Sequence, residues 1–564
     1  MKRVFLSAVS VSCALALGSG LVLAQQKTPP RSPETSVFGE TVEVRVVNVE
    51  VVVTDKDGNR VAGLKPGDFR LKIDGKQVPV DYFSEILGGQ SVAPPATAGG
   101  PAAPASAVPG VEPGGAIGTS YLVFVDDYFS TEIRRNEVLK ALKNDLSRLG
   151  PEDRMAIVAY DGGRLTMVSN WSQSQAQLAR AFDQAIGRPA HGLDRVTELQ
   201  HFQHDDQFRA DAEALTASQG GDTLDLGSRA AASSLNMQEK AYGETLFRQE
   251  EGAVNAAART LRTFAAPPGR KVLLLLNGGW PYSIQSYIRG ASMPSSSREF
   301  KDGEQLFRNL TSTANLLGYT VYPVDVPGLQ TSANDAADAA SVGISGSLLR
   351  EQEMKGTLEF VAKETGGKAL RNANRMLALA EAEADTRSYY WLGFSPTWEH
   401  NDASHKVEVT VNLPGLKVRS RENFLDFSKK TEVSMMVESA LLFGNLPGNA
   451  ALPMRVGTPV KTRGGTEVPI TLGLPTDVVT LVQVGKKYAA HAELRFAASD
   501  DSGNGSLIPV IPLDISSDHP STPGAFVKYQ TKITLKGKAN RLVATVYDPV
   551  SGKLATAETE LSLP

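Results

Sequence analysis

Three oxygen-bearing side chains, Asp126, Asp127 and Ser130, follow directly on the apolar run Tyr121-Leu-Val-Phe-Val125. Carboxylates and a hydroxyl at this spacing are hard ligands suited to Mg²⁺ or Ca²⁺. Two adjacent carboxylates are also the equipment of general acid–base hydrolysis. An unbroken apolar run predicts a strand buried on both faces, as in a parallel sheet covered by helices. The carboxyl end of such a strand opens onto the crevice where open α/β sheets bind ligands. Alternation along a strand sends Asp126 and Asp127 to opposite faces, an objection that weakens where the backbone turns. A plainer assignment makes Ser130 the N-cap of the next helix and the aspartates partners of its positive end.

Two further clusters carry chemistry. His201-Phe-Gln-His204-Asp-Asp206 places two imidazoles three residues apart, on one face of a helix, and neutral imidazoles are common transition-metal ligands. The plainer reading is a solvated polar insertion. Trp280, Tyr282 and Tyr287 lie in the Gly-rich loop after Asn277 and, with Tyr128, are expected to rim the same crevice. Aromatics gathered at one rim suit a protein-binding surface; otherwise they pack the loop onto its own domain. No His-Glu-x-x-His, Gly-x-Ser-x-Gly, P-loop or dinucleotide fingerprint occurs in the sequence.

To hold these residues along one edge the chain needs alternating strands and helices, and from Ile117 it has them. Strand Tyr121–Val125 leads into helical periodicity over Ser130–Leu149, closed by Gly150-Pro151. Strands Met155–Tyr160 and Leu165–Val168 precede a helix over Ser172–Ile186. An irregular, partly helical insertion, 187–238, is followed by a long helix, Gln238–Phe264. Strand Lys271–Leu276 then ends at Asn277. Helix Glu299–Leu317, strand Tyr319–Asp325, helix Ser347–Thr365 with its Gly366-Gly367 cap, and helix Met376–Ala384 complete the series. Strand, crossover helix, strand predicts a doubly wound, mostly parallel α/β sheet over 118–387.

On either side the pattern is β. Val42–Thr54 alternates, Asp55-Lys-Asp-Gly58 supplies a turn, and strands at Phe69–Ile73 and Val78–Phe83 follow, giving a β module over 39–88. Residues 89–117, dominated by Gly, Ala, Pro and Ser, read as a linker. A β segment, 388–426, is expected to complete the N-terminal module, because each half alone leaves a face uncovered. Short strand patterns over 427–564 predict a second, Ig-like sandwich.

A formal net charge of −4 over 564 residues leaves no electrostatic footprint for nucleic acid. Met1-Lys-Arg, the apolar stretch Val4–Leu17 and Val22-Leu23-Ala24 predict a signal peptide, 1–24, cleaved after Ala24, and a secreted or periplasmic protein. A Pro-rich leader, 25–38, is expected to be disordered. Gly18, Ser19 and Gly20 break the first run too early for a membrane span, and no later segment predicts a transmembrane helix. The single cysteine, Cys13, lies in the signal. A lipidation site would need a Leu-like residue in place of Ser10. The mature chain therefore has no disulfide and no thiol nucleophile.

The order of elements, with an aspartate after a buried first strand, Gly269-Arg-Lys-Val-Leu-Leu-Leu-Leu-Asn-Gly278, Gly318-Tyr-Thr-Val-Tyr-Pro-Val324 and Leu358-Glu-Phe-Val-Ala-Lys-Glu-Thr-Gly-Gly367, resembles a von Willebrand factor A (VWA) domain. The flanks, Leu64-Lys-Pro-Gly-Asp-Phe69 and Tyr389-Tyr-Trp-Leu-Gly-Phe-Ser-Pro396, are similar to exported bacterial "VWFA-related" proteins of the acidobacterial type. The resemblance covers roughly residues 40–425. It implies a cation held by an Asp-x-Ser-x-Ser motif, a Thr from a second loop and a late Asp, with one open position for a partner's carboxylate. Asp126 and Ser130 match the motif, Tyr128 replaces its first Ser, and Asn277 replaces the late Asp. Thr223 or Thr245 would supply the Thr, and Asp127 is the candidate to replace the lost charge. The altered set implies a degenerate site with no strong metal dependence, and Mg²⁺ or Ca²⁺ as the ion if one binds. The resulting expectation is an exported module that binds an unidentified protein at the upper face and is not an enzyme. A hydrolase using Asp126/Asp127 with His201/His204, or a scaffold with an inert α/β face, are the alternatives.

Overall fold

Burial on both faces, which the apolar runs demand, is met by a five-stranded sheet. The computed structural model describes residues 46–92, 114–199, 224–264, 270–289, 303–328, 350–443 and 450–563, apart from 501–504, 508–509, 521–523, 536–538 and 562. Two compact units are present, one ending at Asp426 and the other beginning at Phe427.

In the first unit, strands β1 Val47–Thr54, β2 Phe69–Ile73, β3 Lys76–Val78, β4 Tyr82–Leu87 and β5 Gln90–Val92 precede β6 Thr119–Asp126. Then come α1 Glu132–Asn144, β7 Arg154–Tyr160, β8 Leu165–Ser172, α2 Gln175–Ile186, α3 (192–199), α4 Leu224–Thr263 and β9 Arg270–Asn277. Helices α5 Ile284–Arg289 and α6 Gly303–Leu317, strand β10 Tyr319–Asp325, α7 (350–364) and α8 Ala378–Thr386 follow. The chain returns to β structure in β11 Tyr389–Phe394, β12 Ser404–Val411, β13 Lys417–Ser420 and β14 Asn423–Leu425.

The central sheet has the order β10-β9-β6-β7-β8. Every neighbour is parallel except β8, which turns back against β7. All eight residues of β6 and all seven of β10 are buried. Tyr121, Val123 and Val125 pack with Val138, Leu139 and Leu142 of α1, Leu178 and Phe182 of α2, and Leu379 of α8. Phe124 and Tyr160 point to the other face, where Gly252 of α4 lies against the Tyr160 hydroxyl. The strand ends that carry Asp126 and Asn277 are thus one edge of a sheet enclosed by helices.

The flanking strands form two antiparallel sheets, β13-β1-β11-β4-β5 and β14-β12-β2-β3. Each draws strands from both chain segments: β1 pairs with β11 and β13, β11 with β4, and β12 with β2. Their inner faces share Val49, Val51, Leu71, Phe83, Tyr390, Leu392, Val407 and Phe424. The α/β layer is inserted between the halves of this sandwich. A polar joint fastens the two: Arg270 at the start of β9 pairs with Glu50 at 2.5 Å and lies over the Tyr389 ring. Asp385 of α8 takes Arg60, Arg419 and the Tyr322 hydroxyl.

Several boundaries differ from expectation. The stretch 89–117 is not linker throughout, because β5 pairs with β4 and Gln90 bridges Ala116. Helix α1 begins after Thr131, not Ser130, and ends at Asn144 with a 3-10 turn beyond it. Helix α4 already runs from Leu224; Asp225, Gly227 and Ser228 read locally as breakers, yet the alanine-rich chain continues through them. The second unit opens with a helix, α9 Lys429–Phe443, where strand was expected. Its Val433, Val437, Ala440 and Leu441 cover Ala497, Val543 and Tyr547, a burial at helical spacing that the β-branched and methionine content disguised. The remainder is a β-sandwich in which Val468, Ile470 and Leu472 of one sheet meet Leu494, Phe496 and Leu542 of the other. Among the described residues no helix is long and apolar enough to cross a membrane.

Candidate functional site

Asp126 ends β6 on the α4 side of the sheet and is fully buried. Its Oδ1 accepts the backbone N–H groups of Tyr128 and Phe129, each at 3.0 Å. Its Oδ2 accepts the indole Nε1–H of Trp280 at 2.7 Å and the Gly278 N–H at 3.4 Å. Burial pushes the Asp126 carboxyl up to about 7, with the Phe129, Trp280, Gly278 and Tyr128 hydrogen bonds opposing the rise.

The indole is aimed by the next strand over. Asn277 ends β9 and its Oδ1 accepts the N–H groups of Gly279 at 2.7 Å and Trp280 at 2.9 Å. Gly278 passes so close to the β6–α1 turn that a Cβ there would lie 2.4 Å from the Ser130 nitrogen. Trp280 is consequently folded inward, fully buried, with its ring stacked on Phe307 at 6.3 Å. Beside Asn277 in register stands Asp325, the last residue of β10, whose Oδ1 accepts the Gly328 N–H at 3.1 Å.

Asp127 points to the opposite face. It is buried between Arg135 at 2.6 Å and Arg188 at 2.7 Å, and Arg135 also donates to the Arg188 carbonyl at 2.7 Å. This is a structural ion pair on the α1/α2 side, so Asp127 neither joins Asp126 as a ligand nor pairs with it for acid–base chemistry. The strand alternation prevails because the Asp127 N–H still bonds the Tyr160 carbonyl at 2.9 Å, one residue past the end of β6.

The structure gathers Asp126, Ser130 and Asn277 at one point. Ser130 is not the N-cap of α1, a position held by Thr131. Its buried hydroxyl and the Asn277 Nδ2 have no hydrogen-bond partner in the structure. The rim assignments fare differently. Trp280 is interior, not rim, because its N–H is spent on Asp126. Tyr282 is half-buried and packs near Phe307 and Phe360. Tyr128 is half-buried, with Gly162 so close that a Cβ there would lie 2.3 Å from the Tyr128 ring. Thr223, His201 and His204 lie outside the described residues. Thr245 is on α4, where its hydroxyl donates to the Ala241 carbonyl. Among the described residues no group of three or more His, Cys, Asp or Glu is arranged to hold a metal.

Two participants escaped the sequence reading. Asp325 carries a signal in the sequence, a carboxylate at another strand end. Arg195, on α3, carried none, since it lies in a polar insertion. Its guanidinium sits 4.8 Å over the Tyr128 ring and bonds Glu198 at 2.7 Å.

No protein-family model and no curated protein matches the chain. Among solved structures it is similar to the pilus adhesin SpaC from Lactobacillus rhamnosus GG, at a TM-score of 0.19 and 8% identity, over 79% of this chain and 54% of that one. The chain thus spans about half the adhesin's length, and a likeness this faint carries no argument.

Proposed function

We propose that the chain is an exported protein of the von Willebrand factor A type that binds a protein partner at the carboxyl edge of its parallel sheet, without a bridging cation. The observation that carries the reading is the Trp280 Nε1–H directed into Asp126 Oδ2 at 2.7 Å. A divalent ion at Asp126 needs open oxygen lone pairs. Here an N–H donor faces the carboxylate, three backbone N–H groups engage it as well, and Tyr128 offers a ring where a hydroxyl would ligate. The residues present do not fit the ion. Seating one requires Trp280 to leave its place against Phe307.

Binding is favoured over hydrolysis for a related reason. The carboxylates a hydrolase would pair are committed on opposite faces, Asp126 to N–H donors and Asp127 to two arginines. Tyr128 and the loops around it remain as a surface of shape and polar contact.

Calorimetric titration of the full chain with Mg²⁺, Ca²⁺ and Mn²⁺, beside Asp126→Ala, tests the cation-free part. Featureless titrations are expected; saturable heat that the variant loses overturns it. A photo-crosslinking residue at position 128, compared with one at Lys72 on the sandwich, tests the face. A discrete adduct from position 128 alone, persisting in chelator, is expected. An adduct that chelator abolishes, or none at 128, refutes the reading.

A further inference from the structure

We propose that Arg195 is the anchor through which this face takes a carboxylate side chain of its protein partner; the proposal rests on the reading of the face as a protein-binding surface. Helix α3 is pinned to the β6–α1 turn by two backbone bonds, His191 N–H to the Asp127 carbonyl at 2.8 Å and Gly192 N–H to the Ser130 carbonyl at 2.9 Å. The approach is close enough that a Cβ on Gly192 would lie 2.4 Å from the Ser130 carbonyl carbon. Arg195 therefore starts from a backbone fixed to the site.

Its head group is fixed too. The guanidinium lies over the Tyr128 ring at 4.8 Å, a cation–π arrangement that holds the planar fork in one orientation. Tyr128 is itself backed by Gly162, whose φ of +95° and missing Cβ make room for the ring. An arginine ordered before binding loses little freedom when it binds.

The fork is half used. Nη2 donates to Glu198 Oε1 at 2.7 Å and the guanidinium also makes a polar contact with Tyr128, while Nε and Nη1 are buried without a hydrogen bond of good geometry. Buried N–H groups left unpaired are costly and uncommon. Nε–H and Nη2–H form one edge of a guanidinium, the edge that matches a carboxylate with two parallel bonds. Glu198 engages Nη2 alone and leaves Nε unpaired. Glu198 is 43% exposed and Arg195 17% exposed, and an i,i+3 pair on a helix is weak. Glu198 acts as a placeholder that an incoming carboxylate displaces, taking both teeth in its stead.

Arg195 and Arg350 are the cations nearest the half-buried Tyr242 phenol on α4, whose ionisation burial pushes up, with Tyr287 and Glu198 adding to the rise and Arg195 and Arg350 opposing it. Arg350 is held by the Tyr287 carbonyl at 2.9 Å. Asp126, two residues before Tyr128, is already engaged by four N–H donors.

The test uses the full chain, with the Arg195 side-chain Nε–H followed by nuclear magnetic resonance. The probes are a short peptide with a central glutamate, the same peptide with glutamine, and inorganic phosphate, at low salt with chelator. A saturable shift of the Arg195 signal with the glutamate peptide alone is expected. Arg195→Lys, which keeps the charge but lacks the fork, should weaken binding at least tenfold, and Glu198→Gln should strengthen it severalfold. Unchanged melting temperatures for both variants establish that they fold. No shift in wild type and Glu198→Gln, equal binding by Arg195→Lys, or phosphate binding as tight as the glutamate peptide each overturns the carboxylate anchor. A position-128 adduct that survives Arg195→Gln overturns the anchor and leaves the face intact, whereas no adduct in the wild type removes the face itself.

Discussion

Replacing Trp280 by phenylalanine removes one N–H donor and a few ring atoms, and the consequence can be worked from the site. Trp280 is fully buried, and its ring lies nearly parallel to Phe307, at 6°. A phenyl ring keeps that stacking, and the smaller volume costs about 1 kcal/mol. The larger effect is electrostatic. Asp126 Oδ2 would be left with the Gly278 N–H at 3.4 Å. A hydrogen bond to a charged group contributes about 1.5–3 kcal/mol, a neutral one about 0.5–1.5 kcal/mol.

The pH separates these contributions. Burial raises the Asp126 carboxyl to about 7, so it is charged at pH 8 and protonated at pH 5. The Trp280 bond favours the charged form, so its loss raises the folded-state value further. The stability difference between wild type and variant therefore widens as pH climbs through 7. Urea unfolding in chelator at both pH values is the assay. A Trp isostere with sulfur in place of the indole N–H, benzothienylalanine, isolates the bond from the volume change. We expect the isostere to lose about 2 kcal/mol at pH 8 and about 1 kcal/mol or less at pH 5. A loss under about 0.5 kcal/mol at pH 8, or equal losses at both pH values, would refute the argument that Trp280 stands where a cation would.

Three other perturbations follow from the packing. Asp127→Ala leaves Arg135 buried without its carboxylate and should cost about 3–5 kcal/mol, read as a fall in melting temperature that Asp127→Asn only partly repairs. Gly162→Ala places a methyl against Tyr128 at a φ of +95°, and should cost at least about 1–3 kcal/mol and alter the near-ultraviolet dichroism of that tyrosine. Glu250, buried on α4 with neither carboxylate oxygen partnered, is held well above its ordinary value by burial alone. The unfolded chain releases that proton near 4.5 while the folded chain keeps it, so stability falls as pH rises above 4.5. Glu250→Leu should therefore stabilise more at pH 8 than at pH 5, measured by urea midpoints.

Much of this architecture was legible because it rests on burial. Leu273–Leu276 and Val123–Val125 are apolar without alternation, and only a strand covered on both sides accepts that. Val49, Val51 and Val53 recur at the strand period and fill the sandwich core, while Val52 between them is buried on the opposite face with Ile86, Tyr389 and Trp391. The convergence of Asp126, Ser130 and Asn277 was legible too, since strand ends in a parallel sheet share an edge. What local pattern could not convey was direction across long separations. Trp280 is 154 residues from the carboxylate it bonds, and an aromatic in a Gly-rich loop reads as a rim residue until the Asn277 turn folds it inward. Helix α9 was hidden because Val433, Val437 and Leu441 occur within an apolar stretch whose helical and strand spacings overlap.

The position of charge in this edge follows from one constraint. A carboxylate buried as completely as Asp126 must be matched by donors, by a cation or by a proton. In this fold N–H donors, and a proton below about pH 7, meet that need, so no external positive charge is required at the centre. Recognition of an acidic group must then use positive charge nearer the surface. Arg195 satisfies the condition: it is tied through α3 to the turn that follows Asp126 and lies over the Tyr128 ring. The insertion that read as solvated filler thus carries the side chain on which the sign of the face depends. The experiments at Trp280 and Arg195 consequently test separable links. The first asks whether the buried carboxylate is internally satisfied, and the second whether Arg195 takes the acidic group.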